Sequence, residues 1–157
     1  MSVSPEAIEA IRKTVWVDAT AEDAFAVFTE RIGRWWPLMN YHIGRSAAET
    51  VIIEPHAGGR WYERGQDGSE CQWGKVLVWE PPHRLVLAWQ ISAQWQFDPA
   101  VVTEIELRFV EEAGCTRLDF EHRKLEALGA AAPVIRKGLN GGWPTMLERF
   151  VQEAKIA

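Results

Sequence analysis

The sequence predicts an α+β fold in which an antiparallel β-sheet carries a long C-terminal helix, with shorter helical structure after the first strand. Three observations predict it. A β-branched segment, "IRKTVWVD" at 11–18, leads straight into a capped helical pattern. Short apolar runs separated by turn residues then fill the middle of the chain, and "APVIRKGLNGGWPTMLERFVQEA" at 132–154 returns to helical spacing.

Each element follows from its residues. The first strand alternates imperfectly but is rich in β-branched side chains. Thr20 is placed to cap a helix, with Asp23 three residues on, and Phe25, Phe28 and Ile32 recur at helical spacing. Gly33 is expected to end that helix in the left-handed conformation. Six strands follow: "TVIIEP", "RWYER", "CQWGKVLVWE", "RLVLAWQI", "VVTEIELRFV" and "TRLDFEHR". Their separators, "HAGG", "QDGS", "PPH", "SAQWQFDPA" and "EEAG", are mostly short, so consecutive strands should pair antiparallel as a meander. In the last helix Val134, Ile135, Leu139, Trp143, Leu147 and Phe150 recur at helical spacing, and Gly141, Gly142 and Pro144 predict a break or kink near its middle.

A chain of 157 residues suits one domain, 1–157, with no repeat or linker. Formal net charge is −5 and the 17 basic residues are scattered, so a nucleic-acid footprint is absent. No stretch has the apolar length of a membrane span, and "MSVSPEAIEAIRK" lacks the features of a signal peptide, which predicts a cytoplasmic protein. Cys71 and Cys115 form no CxxC or metal spacing and are read as reduced thiols. The compositional anomaly is nine tryptophans.

The segment 58–89, "GGRWYERGQDGSECQWGKVLVWEPPHRLVLAW", resembles the activator-of-heat-shock-chaperone-ATPase homology family of the START-like, SRPBCC superfamily. Gly58 and Gly59 before an aromatic strand, Gly74 opening "GKVLVWE", and the "EPPHRL" hairpin before a strand ending in Trp89 carry the likeness. So do "VFTERIGRWWP" and Gly142–Trp143 with Leu147, while Pro144 departs from the family pattern. The resemblance implies a helix-grip fold: a curved antiparallel sheet wrapped around the C-terminal helix, with an apolar cavity between them. Its members include hydrophobic-ligand carriers, cyclases, hydrolases and chaperone activators, so the fold does not fix the function.

Strand alternation assigns faces without any family. Thr103, Ile105, Leu107 and Phe109 share one face, and Thr116, Leu118, Phe120 and His122 share the matching face of the next strand, with charged residues opposite. His122 therefore points inward, across from Thr103 or Ile105, where it either hydrogen-bonds a local group or awaits a ligand. Trp73, Val76, Leu77, Val78 and Trp79 cannot all face inward in a regular strand, so part of that surface should meet other chain segments, a second subunit or a partner; a homodimer is one expectation. Trp61, Trp73, Trp89 and Trp143 suit core packing. Trp35, Trp36 and Trp95 lie in or near connections, so "WWPLMNYHIG" at 35–44 and "AQWQFDP" at 93–99 read as lids over a cavity mouth, or as a solid aromatic plug.

No P-loop, G-x-G-x-x-G, G-x-S-x-G or H-E-x-x-H occurs, and no catalytic residue, cofactor or metal is assigned. Alternation puts Glu104 on the wet face and leaves Glu54 and Glu63 unassigned. The function expected is binding of a small hydrophobic or aromatic molecule by Trp35, Trp36, Met39, Tyr41, His42, Trp61, Trp73, Trp89, Trp95, Phe97, Thr103, Phe120, His122 and Trp143. The alternatives are a chaperone-binding module, as the family resemblance implies, and an enzyme using the same cavity for cyclisation, hydrolysis or proton transfer.

Overall fold

The structure, a computed structural model, describes residues 8–155, so the stretch 1–7 behind the leader expectation lies outside the described residues. The strands are β1 (Ile11–Val17), β2 (Ala48–Ile53), β3 (Arg60–Gly65), β4 (Glu70–Glu80), β5 (Arg84–Trp89), β6 (Thr103–Glu112) and β7 (Cys115–Arg123). They form one antiparallel sheet of seven strands in the order β1-β7-β6-β5-β4-β3-β2. The meander from β2 to β7 is the one expected, and β1 closes its far edge. Helices α1 (Ala21–Thr29) and α2 (Ile32–Trp35) follow β1, and a 3-10 segment (Leu125–Ala131) leads into α3 (Ala132–Lys155). The curled sheet grips α3 through Leu139, Trp143, Met146, Leu147 and Phe150, all buried, which is the helix-grip fold. Among the described residues no helix is long and apolar enough to cross a membrane.

Local chemistry sets these boundaries. The Thr20 hydroxyl accepts the Asp23 backbone N–H at 3.2 Å, and Glu22 and Asp23 place negative charge in the first turn of α1. Gly33 does not end the helix: it lies inside α2 and its backbone is not left-handed. Its glycine is explained by close approach instead, because a Cβ there would lie 2.2 Å from the Thr50 hydroxyl on β2. Gly33→Ala is expected to destabilise the fold by about 1–3 kcal/mol in urea unfolding, with Thr50→Ala restoring most of it. An unchanged midpoint in the single variant would remove close packing as the reason for glycine.

The break predicted in the last helix is also absent, since α3 runs as 24 helical residues through Pro144. Pro144 itself is exposed, while buried Leu139 and Trp143 before it and Met146 and Leu147 after it hold both halves against the sheet. Packing overrides propensity here.

Alternation holds where strands are regular. Ile105 pairs with His122, Leu107 with Phe120 and Phe109 with Leu118 on the inner face, and Glu104, Glu106 and Arg108 pair with Arg123, Glu121 and Asp119 outside. The outer face is less wet than expected at Glu106, which is buried beneath arginines and held by Arg84 at 2.6 Å, Arg108 at 2.9 Å and Arg123. Burial alone would raise its pKa, but the hydrogen bonds from Arg84 and Arg123 outweigh it and lower the carboxyl to about 2.

Strand β4 is not regular. Its pairing slips once opposite Trp61/Tyr62 and again between Val76 and Val78. These bulges turn Trp73, Val76 and Trp79 all toward the interior, where Trp79 meets Phe25 at 5.1 Å, and leave Leu77 and Val78 half-buried. The sheet itself thus absorbs much of the apolar surface that led to the expectation of a second subunit. Gly74 sits between the bulges because a Cβ there would lie 1.7 Å from the Ala88 carbonyl oxygen.

Candidate functional site

Inside the grip, aromatic side chains pack on one another. Trp36 lies 5.2 Å from Trp73, 6.0 Å from Trp61 and 5.9 Å from Trp143, centroid to centroid, and Trp89 bridges Trp61 at 5.6 Å and Trp143 at 5.8 Å. Phe120 backs Trp143 at 4.6 Å. The adjacent Trp35 and Trp36 point to different neighbours. Trp35 joins Phe28 and Phe150 and donates its indole N–H to the Val27 carbonyl, so it belongs to the α1–α3 core, away from the tryptophans around Trp36.

Two connections cover this cluster. In the loop 37–47 no residue is fully buried; the Tyr41 hydroxyl lies over Gly142 of α3, and the Tyr41 carbonyl accepts the Trp36 indole N–H at 3.0 Å. From the loop 92–100, Trp95 packs on Trp89 at 6.2 Å and donates its indole N–H to the His42 carbonyl at 3.0 Å. Its φ of 61° is costly for a bulky residue, and these two contacts hold it there. The two segments read as lids therefore touch each other. Met39 and Phe97 are not drawn into the cluster: Met39 is 94% exposed, and half-buried Phe97 bridges Ile91 at the base of its loop.

His122 faces inward and is fully buried, and the first of its two alternatives holds. Its Nδ1 accepts the Trp143 indole N–H at 3.2 Å, and because an indole only donates, the proton of the neutral ring resides on Nε2. Nε2–H then donates to the Thr103 hydroxyl at 2.8 Å, and that hydroxyl donates to the Trp89 carbonyl at 3.0 Å. Both imidazole nitrogens and the Thr103 hydroxyl are thus engaged in this relay. Burial lowers the imidazole pKa to about 3, so His122 stays neutral and is no free acid or base.

The polar group that alternation left unassigned is Glu63. Of the three carboxylates considered, Glu54 pairs with Arg60 and Glu104 with Arg123 and Lys124 at the surface, whereas Glu63 is 1% exposed on the inner face. It accepts the Trp73 indole N–H at 2.8 Å and the backbone N–H groups of Ile43 at 2.5 Å and Gly44 at 3.2 Å, so it ties the loop 37–47 to the sheet. His42 Nδ1, buried and without a hydrogen-bond partner, stands 3.7 Å from the same carboxylate. The Trp61 indole N–H is likewise buried and unpartnered. Glu63 shares a strand face with Trp61 two residues before it, and that parity was the available signal. Nearby Cys71 is a free thiol whose pKa is raised by burial and by the charges of Glu63 and Asp67, which makes it a poor nucleophile.

Comparison with known proteins places these features in a family context. The family described as "Activator of Hsp90 ATPase homolog 1-like protein" matches residues 18–155. Among solved structures, the chain is 40% identical to an anthrahydroquino-γ-pyrone synthase, Txn09, over 95% of this chain and 99% of that one, with a TM-score of 0.66. It is 30% identical to CalC, a self-sacrificing resistance protein from Micromonospora echinospora, over 92% and 93% of the two chains, with a TM-score of 0.70. Protein NE0264 from Nitrosomonas europaea, at 12% identity, 99% and 98% coverage and a TM-score of 0.68, shares the fold alone. No curated protein matches.

Proposed function

The chain belongs to the activator of Hsp90 ATPase homolog 1-like family, and from that premise we propose that it binds a flat aromatic small molecule between its tryptophan cluster and the loop 37–47. The observation that carries this reading is the Trp61 indole N–H, buried among Trp36, Trp73 and Trp89 with no acceptor. An unmet buried donor costs about 1–3 kcal/mol, a cost that a carbonyl oxygen on an aromatic ligand would offset. Stacking on tryptophan faces supplies the apolar contact such sites use. The synthase at 40% identity, named for a fused-ring product, supports the same ligand class.

That identity also favours a second reading, in which the chain promotes ring formation in the molecule it holds. His122 would take no proton in such a step, because both of its nitrogens are engaged.

Titration with a panel of fused-ring quinones should give saturable quenching of tryptophan fluorescence. Trp61→Phe, which keeps an aromatic ring and removes the N–H, is expected to weaken binding by about 5–10-fold. A panel that produces no saturable change would overturn the binding reading, and unchanged affinity in Trp61→Phe would remove Trp61 from it.

A further inference from the structure

We infer that Glu63 is the specificity-determining residue of this site and selects aromatic ligands that bring a hydroxyl donor, phenolic or enolic. The inference rests on the binding reading above and adds a chemical class to it.

Glu63 is a buried carboxylate, and no lysine or arginine pairs with it among the described residues; its nearest cationic candidate is His42 at 3.7 Å, beyond hydrogen-bond distance. Three N–H donors compensate its charge. One, from Trp73, belongs to the sheet, and the other two, from Ile43 and Gly44, belong to the loop 37–47. That loop has no regular strand or helix and no fully buried residue, and two indole-to-carbonyl bonds, from Trp36 to Tyr41 and from Trp95 to His42, join it to neighbouring side chains. Leu38, Tyr41 and Ile43 pack on the core only half-buried, so this loop is held less firmly than the strands beneath it, and segments of that kind open at lower free energy than the core.

Space beside Trp61 and Trp73 is filled by the protein's own rings, so a ligand enters as the loop lifts. Lifting removes the Ile43 and Gly44 donors and leaves the carboxylate with Trp73 alone. A buried charged acceptor stripped of its donors is strongly unfavourable. A ligand offering only carbonyl or ether oxygens would set acceptor against acceptor. A ligand hydroxyl replaces the lost donors with an O–H to carboxylate bond, among the strongest available to a side chain.

Trp61 supplies the complementary half. It shares the inner face of β3 with Glu63 two residues away, about 7 Å along the strand, and presents a donor without an acceptor. A fused-ring molecule bearing a carbonyl at one position and a hydroxyl a ring's width away satisfies both groups at once.

The test compares 2,6-dihydroxyanthraquinone with 2,6-dimethoxyanthraquinone, which keeps the ring system and loses the donors, by fluorescence titration at about pH 6. The wild-type chain should prefer the dihydroxy compound by at least about tenfold, and Glu63→Gln should reduce that preference to within about threefold. Equal affinities in the wild type, or a preference that survives in Glu63→Gln, overturn the inference while leaving aromatic binding intact. Binding of neither compound overturns the binding reading and the inference together. Hydrogen exchange on the wild type keeps the question open to refutation if the variant fails to fold. Saturating dihydroxyanthraquinone should speed exchange at the Ile43 and Gly44 amides, and amides that stay protected in the complex would show that Glu63 never leaves the loop.

Discussion

Lowering the pH from 6.5 toward 3 should remove up to about 1.4 kcal/mol of folding stability per pH unit, about 5 kcal/mol over the whole window, through one imidazole. His122 is fully buried, and burial lowers its pKa from 6.5 to about 3. Between those values the unfolded chain binds a proton at this position and the folded chain does not. Stability therefore rises with pH inside the window, is complete above 6.5, and falls as acid titrates the unfolded state. Glu106, lowered from 4.5 to about 2, adds a second loss, but one that begins only below 4.5. The interval from 6.5 to 4.5 thus reports the histidine with little interference from this carboxylate. Urea unfolding at pH 7, 6 and 5 should show the slope, and His122→Gln should flatten it whatever that variant does to stability at pH 7. Equal unfolding free energies at pH 7 and 5 in the wild type would mean that the imidazole gains its proton without unfolding.

The same histidine marks how far the sequence could be read. Strands β6 and β7 alternate regularly, so their inner and outer faces, and the inward position of His122 across from Thr103 or Ile105, follow from period-two spacing, and the structure selects Ile105. Strand β4 defeated that reasoning because two bulges change parity within it, and nothing in "CQWGKVLVWE" marks where a residue is skipped except the glycine at 74. Gly33 departs from its expected role for a related reason. A glycine after an apolar helix fits both a left-handed stop and a close approach, and only Thr50, 17 positions later, decides between them. Pro144 was given its local propensity, which the buried residues on either side override.

At the candidate site, the inward tryptophans and His122 are legible in the sequence, while the outlying Trp35, Met39 and Phe97 and the carboxylate of Glu63 are not. Trp61, Trp73, Trp89 and Trp143 come together because large rings in strands and on the buried side of a gripped helix share one interior, and Trp36 joins them from the end of α2. Glu63 stays unplaced in the sequence because a glutamate in "RWYERG" looks like any charged strand residue. Its hold on the loop depends on backbone donors at Ile43 and Gly44 that arrive from a separate segment. Backbone groups leave no mark in a side-chain pattern, so a carboxylate held by two loop amides is invisible until the loop is placed.

Trp143→Ala is expected to cost about 3–5 kcal/mol, with the loss divisible into two parts. The first is volume. The ring touches Phe120, Trp36, Trp89 and His122, so truncation opens a space that rigid aromatic neighbours fill poorly. The second is the indole N–H, which gives His122 Nδ1 its donor and thereby sets the tautomer that serves Thr103 and the Trp89 carbonyl. Trp143→Phe removes that donor while keeping most of the volume, and its expected cost is about 1–2 kcal/mol. A double-mutant cycle with Thr103→Val separates the parts further. Because the imidazole is the hydrogen-bonded link between Thr103 and Trp143, a coupling of about 0.5 kcal/mol or more between Trp143→Phe and Thr103→Val would show the relay acting as one unit. Strict additivity would mean that the ring holds its place by packing alone, and Trp143→Phe as costly as Trp143→Ala would sink the division between volume and hydrogen bond.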